Sequence, residues 1–140
     1  MVFGVNWRTG KQYRVLDMSC SRHYDTVAFD VRDGATMLFF ARTSEDGDIE
    51  DYLLLMRARG EDFGEVILIE VNENQLAGQD LIEEARMSGN MLTLELSQPV
   101  AELDGASQII LTYDDSPENR NSIENGAFRV LGNTLEGGNA

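Results

Sequence analysis

Cys20 and His23 are the pair in this chain with the residue types for nucleophilic catalysis, in which an imidazole generates a thiolate that attacks an electrophilic centre. That chemistry also requires a third group to orient the base and donors to hold an oxyanion. Nothing near these two residues supplies either in recognisable form. Three residues of separation do not bring two side chains together, so Cys20 reads as a buried thiol and His23 as a surface imidazole. They are the chain's single cysteine and single histidine. An internal disulfide is therefore ruled out, and a zinc site built on soft ligands fails by counting. No cofactor, no metal and no catalytic residue is expected, and the chain reads as a binding protein in preference to an enzyme.

Carboxylates are the other candidates. Glu45, Asp46, Asp48, Glu50 and Asp51 crowd one polar stretch, and Asp114, Asp115 and Glu118 form a second group. Oxygen ligands at alternating positions suit hard cations, but residues 45–51 lack the twelve-residue calcium loop with its late Glu. An acidic strand connection, or a loop facing a basic partner, explains them as well. In the second group, acidic residues are favourable at the start of a helix for purely local reasons. Glu83 and Glu84 could in principle exchange protons, yet nothing in the sequence provides the cleft that would tune them. No phosphate-binding Gly-rich motif is present.

The elements that must position these residues are mostly strands. Short apolar runs separated by turn residues recur along the chain, the pattern of a β-rich domain. Gln12–Met18 and Asp25–Val31 are strand candidates, and Arg32-Asp33-Gly34 has the chemistry of a hairpin into Ala35–Arg42. The acidic link over residues 43–50 then feeds a strand over Asp51–Arg57. Tyr52–Met56 and Val66–Ile69 are apolar at successive positions, which places them at a sheet's centre with both sides covered. Met91–Leu96 alternates Leu92, Leu94 and Leu96 with Thr93 and Glu95, describing one wet side. Ile109, Leu111 and Tyr113 should share a buried face. Asp80–Met87 fits helix and strand, with strand preferred.

Ser116 as cap, Pro117 at the first position, Glu118 in the first turn and Gly132 at the end predict a helix between them. Its stripe of Ile123, Ala127, Val130 and Leu131 should pack on the sheet. Gly126 inside it costs about 1 kcal/mol relative to Ala. The expected fold class is thus α+β, mainly β, an antiparallel sheet with a C-terminal helix packed on it. Residues 1–132 form one domain and residues 133–140 a flexible tail. Aromatic residues Phe39, Phe40, Tyr52 and Tyr113 default to the core, whereas Trp7 has polar neighbours and could be exposed.

The formal net charge of −14 and the pI near 4.2 bound the partner class. A negative field repels nucleic-acid phosphate and anionic lipid, so neither is an expected ligand. The charge is lopsided: residues 1–43 carry a balance of +2 and residues 44–140 one of −16. Such a surface would steer a basic protein, although solubility alone also rewards excess Asp and Glu. No stretch approaches the roughly 20 apolar residues of a membrane-spanning helix. Met1–Gly10 lacks the basic-then-apolar pattern of a secretory signal, so a cytoplasmic location is expected.

Asp51-Tyr52-Leu53-Leu54-Leu55-Met56-Arg57 resembles the Tyr-Leu-hydrophobic-Leu-Gln-Arg core strand of immunity protein family ten of bacterial polymorphic toxin systems, with Met56 where that family carries Gln. Ile69-Glu70-Val71-Asn72-Glu73, followed by Gly78, is similar to the family's acidic segment. Asn90-Met91-Leu92-Thr93-Leu94-Glu95-Leu96 is similar to its Asn/Ser-Leu-Thr-Leu-Leu strand. The resemblance spans residues 25–132. It implies a cytoplasmic protein that binds and neutralises a cognate toxin domain. Together with the acidic field, it makes Glu45, Asp46, Asp48, Glu50, Asp51, Asp114, Asp115 and Glu118 the contact candidates. Three alternatives stand beside it: a small-ligand or metal-binding β domain, an enzyme whose carboxylates meet only in three dimensions, and a subunit that forms a homodimer through an open sheet edge.

Overall fold

The computed structural model of the chain describes residues 19–60, 64–76 and 81–136, and within them the short apolar runs become strands. β1 (Ser19–Tyr24) and β2 (Thr26–Arg32) are separated by Asp25 alone. Asp33 and Gly34 then adopt φ of 53° and 82°, the doubly left-handed turn whose twist suits a two-residue hairpin, and β3 (Ala35–Thr43) returns against β2. β4 (Ile49–Gly60), β5 (Gly64–Val71) and β6 (Asn74–Gln75) continue the meander, giving an antiparallel sheet ordered β2-β3-β4-β5-β6. A second sheet is built on β7 (Ile82–Ser88), β8 (Met91–Val100) and β9 (Ala106–Tyr113), which pair antiparallel. Its outer strands are added in parallel: β1 beside β9, and a two-residue β10 (Leu135–Glu136) beside β7. The chain crosses from the second sheet to the first at Asp25.

The helix α1 (Pro117–Leu131) forms where its caps place it. The Ser116 hydroxyl accepts the Asn119 amide at 3.1 Å, and the Gly132 amide donates to the Phe128 carbonyl. Its buried stripe of Ile123, Ala127, Val130 and Leu131 meets the same inner face of the first sheet that the second sheet covers. Leu38, Phe40, Leu53, Leu55 and Ile69 supply that face, and Leu92, Leu94, Ile109, Leu111 and Tyr113 oppose them. Gly126 has a packing reason: a Cβ there would lie 2.6 Å from Phe29 Cδ1 and 3.0 Å from Leu38 Cδ1. Arg57 Nε donates to the Val130 carbonyl at 2.9 Å and so fixes the end of α1 to β4. The fold is α+β and mainly β, with the helix packed on sheet.

Several local expectations need correction. The described residues form two sheets instead of one, and the outermost pairings of the second are parallel: β1, which leads into the corner at Asp25, lies beside β9, and β10, which follows α1, lies beside β7. Leu135 is buried at 6% exposure and pairs with Ala85, so the start of the expected tail docks as β10. A bulge between Ile82 and Glu84 interrupts the alternation of β7, which is why that segment read ambiguously. Strand β4 is central, but the described residues cover neither β4 nor β5 on both sides. Tyr52, Leu54, Met56, Val66 and Leu68 stay half-buried on the outer face of the first sheet, while α1 and the second sheet both lie on its inner side. Gln12–Met18, Trp7, Gly78 and residues 137–140 fall outside the described residues. Among those described, no helix is long and apolar enough to cross a membrane.

Candidate partner-binding site

Asp25 organises one end of the molecule. Its carboxylate accepts from the Thr43 amide at 2.8 Å, the Thr43 hydroxyl at 2.9 Å and the Thr26 hydroxyl at 2.6 Å. These bonds, that from Thr26 first, hold its pKa below the ordinary value. Asn119 completes the hub from the first turn of α1. Only 3% exposed, it donates to the Asp25 carbonyl at 2.9 Å and the Asp114 carbonyl at 2.8 Å, and accepts from the Val27 amide at 2.9 Å. The Asp114 amide in turn donates to the Tyr24 carbonyl at 3.1 Å. The turn after β3 and the link between β9 and α1 are thereby fastened to one residue. Glu45, Asp46 and Asp48 on the first, Asp114 and Asp115 on the second, and Glu118 in the first turn of α1 are exposed at the same end of the sandwich.

The turn over residues 44–48 closes on its own backbone. The Ser44 amide donates to the Asp48 carbonyl at 2.8 Å, and the Gly47 amide to the Ser44 carbonyl at 2.9 Å, with Gly47 at φ 89°. Among the described residues no three or more His, Cys, Asp or Glu side chains converge as metal ligands would. The second group is partly engaged: Asp114 lies 2.8 Å from His23 Nε2, and Asp115 3.3 Å from Arg120. Cys20 and His23 project to opposite sides of β1. Cys20 turns toward the core, whereas His23 meets Thr112 and Asp114 on the surface, so they form no catalytic couple.

Asp51 differs from its acidic neighbours. It lies on the inner face of β4, only 8% exposed, where Arg22 Nη1 donates to both its oxygens at 3.1 Å and Asn72 Nδ2 donates at 2.5 Å. The ion pair joins the two sheets and is unavailable to a partner, which removes Asp51 from the expected contact set. Nearby, burial and then the Asp51 charge push the Tyr24 phenol up to about 12.

Beside this end, an open groove of about 390 Å³ runs onto the outer face of the first sheet. Phe39 and Tyr52 form its floor, their rings 5.2 Å apart and inclined by 31°. The Tyr52 hydroxyl donates to the Glu70 carboxylate, which raises its pKa, and accepts the Glu73 amide at 2.9 Å. Ile49 and Glu50 line it from the start of β4, and Asn72 and Glu73 line it from a tight turn in which they hold φ of 48° and 75°. Asn72 braces it by accepting the Tyr52 amide at 2.8 Å. Ile49 is 55% exposed at the mouth. A second shallow groove of about 260 Å³, lined by Met37, Leu54 and Asp30 among others, begins on the other side of Phe39.

Of the expected contacts, then, seven are exposed at one end and Glu50 also lines the groove. Phe39, Tyr52, Asn72 and Glu73 were not among the expected contacts. The signal for Tyr52 was the apolar character of both sides of Tyr52–Met56, which implied complete burial, and Phe39 defaults to the core as an aromatic in an apolar run. No protein-family model matches the chain, and no curated protein is significantly similar to it.

Proposed function

We propose that the protein is a non-enzymatic binding module of the immunity type, which captures a cognate toxin domain through a basic surface and so neutralises it. The observation that carries the reading is the gathering of two acidic segments, far apart in sequence, at one end of the sandwich beside an aromatic groove. An apolar floor with a carboxylate rim is the arrangement of a protein-binding surface: the centre supplies desolvated contact, and the rim supplies steering and register. That the partner is a toxin domain, whichever its activity, rests on the sequence resemblance, and a cytoplasmic site of action goes with it. Toxins that attack nucleic acids carry basic surfaces, to which this field is complementary.

The test is capture from the source cells at low ionic strength, using the chain and a variant with Glu45, Asp46, Asp48 and Glu50 changed to Lys. Enrichment of a basic toxin domain by the parent chain, lost in the variant, is the expected result. Equal capture by both removes this end from the interface. A calcium-dependent rise in melting temperature without any protein partner would instead favour a cation-binding domain.

A further inference from the structure

The geometry points to the groove over Phe39 and Tyr52 as a receptor for a single arginine side chain projecting from the protein partner. This inference rests on the binding reading above and adds the chemistry of the contact. The floor is aromatic and held in place: Tyr52 is fixed at its hydroxyl by Glu70 and the Glu73 amide, and its ring leans on Phe39. A planar guanidinium stacks on such a floor, and electron density on the ring faces attracts its charge. The exposed carboxylates of Glu50 and Glu73 both line the groove and offer charged acceptors to the guanidinium fork. Ile49 offers apolar cover for the methylene stem.

The other polar groups in the groove are already committed. Asp51 is paired with Arg22, and the Asn72 amide is used by Asp51 and the Tyr52 backbone. That leaves acceptors of negative charge, not a mixed set of donors and acceptors, and it disfavours a neutral polar ligand. Arg42 forms an exposed ion pair with Glu50 at 3.8 Å, beyond hydrogen-bond distance, so the Glu50 carboxylate keeps acceptor capacity for a second guanidinium that donates to it directly. The volume of about 390 Å³ lies at the small end of ligand pockets, roughly 300–1,000 Å³, and the groove is open along one side. Both features suit one side chain carried on a larger surface.

Nuclear magnetic resonance titration of the full chain with N-acetylarginine amide tests the assignment, with N-acetylcitrulline amide as the neutral shape control and N-acetyllysine amide as the charge control. The expected result is saturable shifts at Phe39, Ile49, Tyr52 and Glu73, weakened about tenfold for the citrulline probe, equivalent to about 1.4 kcal/mol. The lysine probe should fall between them. Glu73→Gln should weaken arginine binding by a similar factor while circular dichroism stays unchanged, and Tyr52→Leu should abolish the preference for arginine over lysine. Equal binding of arginine and citrulline, equal binding of arginine and lysine, or no saturable shift at these residues overturns the assignment. Capture of the basic toxin domain by the parent chain distinguishes the two levels. If capture persists while the titration fails, the groove alone is wrong; if capture fails as well, so is the binding reading.

Discussion

At the scale of single residues, the site is held in a conformation its own sequence does not favour. Asn72 and Glu73 both sit in the left-handed region, which Asn tolerates through local hydrogen bonds and Glu does not. A two-residue turn of this hand is best served by Asn-Gly. Glu73→Gly should therefore raise stability by a net of about 0.5 kcal/mol, the relief of left-handed strain exceeding the greater freedom of glycine in the unfolded chain. The same change should weaken capture of the basic partner, because it deletes a wall of the groove. Urea unfolding paired with the capture assay measures both; a loss of stability, or unchanged capture, contradicts the role given to Glu73. Asp51 shows why such detail was only partly legible. It and Glu50 are adjacent acids in one polar run, and strand alternation sends one outward and the other to Arg22. Which of the two goes inward depends on the register of β4 against β3, and a bulge between Arg42 and Thr43 shifts that register.

At the scale of elements, the helix and its docking were open to different degrees. Its start, end and apolar stripe could be read from Ser116, Pro117, Gly132 and the spacing of Ile123, Ala127, Val130 and Leu131, because caps and amphipathic period are local properties. Asn119 could not, since its three partners lie at the corner between β1 and β2 and in the link before α1. It does for the tertiary structure what a cap does for a helix: it satisfies the Val27 amide and the Asp25 carbonyl, and adds a second bond to the Asp114 carbonyl, which also accepts the Ser116 amide. Asn119→Ala should cost about 2–4 kcal/mol, since each orphaned buried group costs about 1–3 kcal/mol and some will recover a bond by relaxation. Asn119→Asp keeps the acceptor for Val27 but loses both donated bonds, so it should be destabilising as well. Denaturant unfolding measures the two, and a loss below 1 kcal/mol for the alanine variant would show that the corner does not depend on this residue. The same corner orients the acidic turn through Thr43, so amide exchange across residues 43–48 should quicken in these variants.

At the scale of the whole molecule, sheet content was legible because alternation is a property of each run, whereas sheet number and cover are not. Leu54, Met56 and Leu68 had the composition of strands buried on both sides. They instead form an outer face that the described parts of the chain leave half-exposed, and this face is continuous with the acidic end. Charge acts at this scale too, and it sets two opposed effects of acid. The net charge of −14 destabilises the compact state by self-repulsion at neutral pH, and protonation toward the pI near 4.2 relieves it. Against this, Asp25 and Glu95 have lowered pKa values, Asp25 through Thr26 and then the Thr43 amide, Glu95 chiefly through Gln108 and then Arg86. A lowered carboxylate pKa means that the unfolded state binds protons more readily. The stability it contributes is complete above the ordinary values of 3.8 and 4.5 and is lost as pH falls through the folded-state values below them. Urea midpoints at low salt should therefore rise modestly from pH 7 toward pH 5 and then fall once pH drops below about 4. Added salt should raise the midpoint at pH 7 and have less effect near the pI, because only the self-repulsion is screened. Asp25→Asn isolates the second effect: it should flatten the acid limb while leaving the salt response at pH 7 nearly intact. A midpoint that falls steadily from pH 7 downward would instead show that repulsion among the clustered carboxylates is too weak to matter. The acidic end would then be a steering surface that carries little cost in stability when no partner is bound.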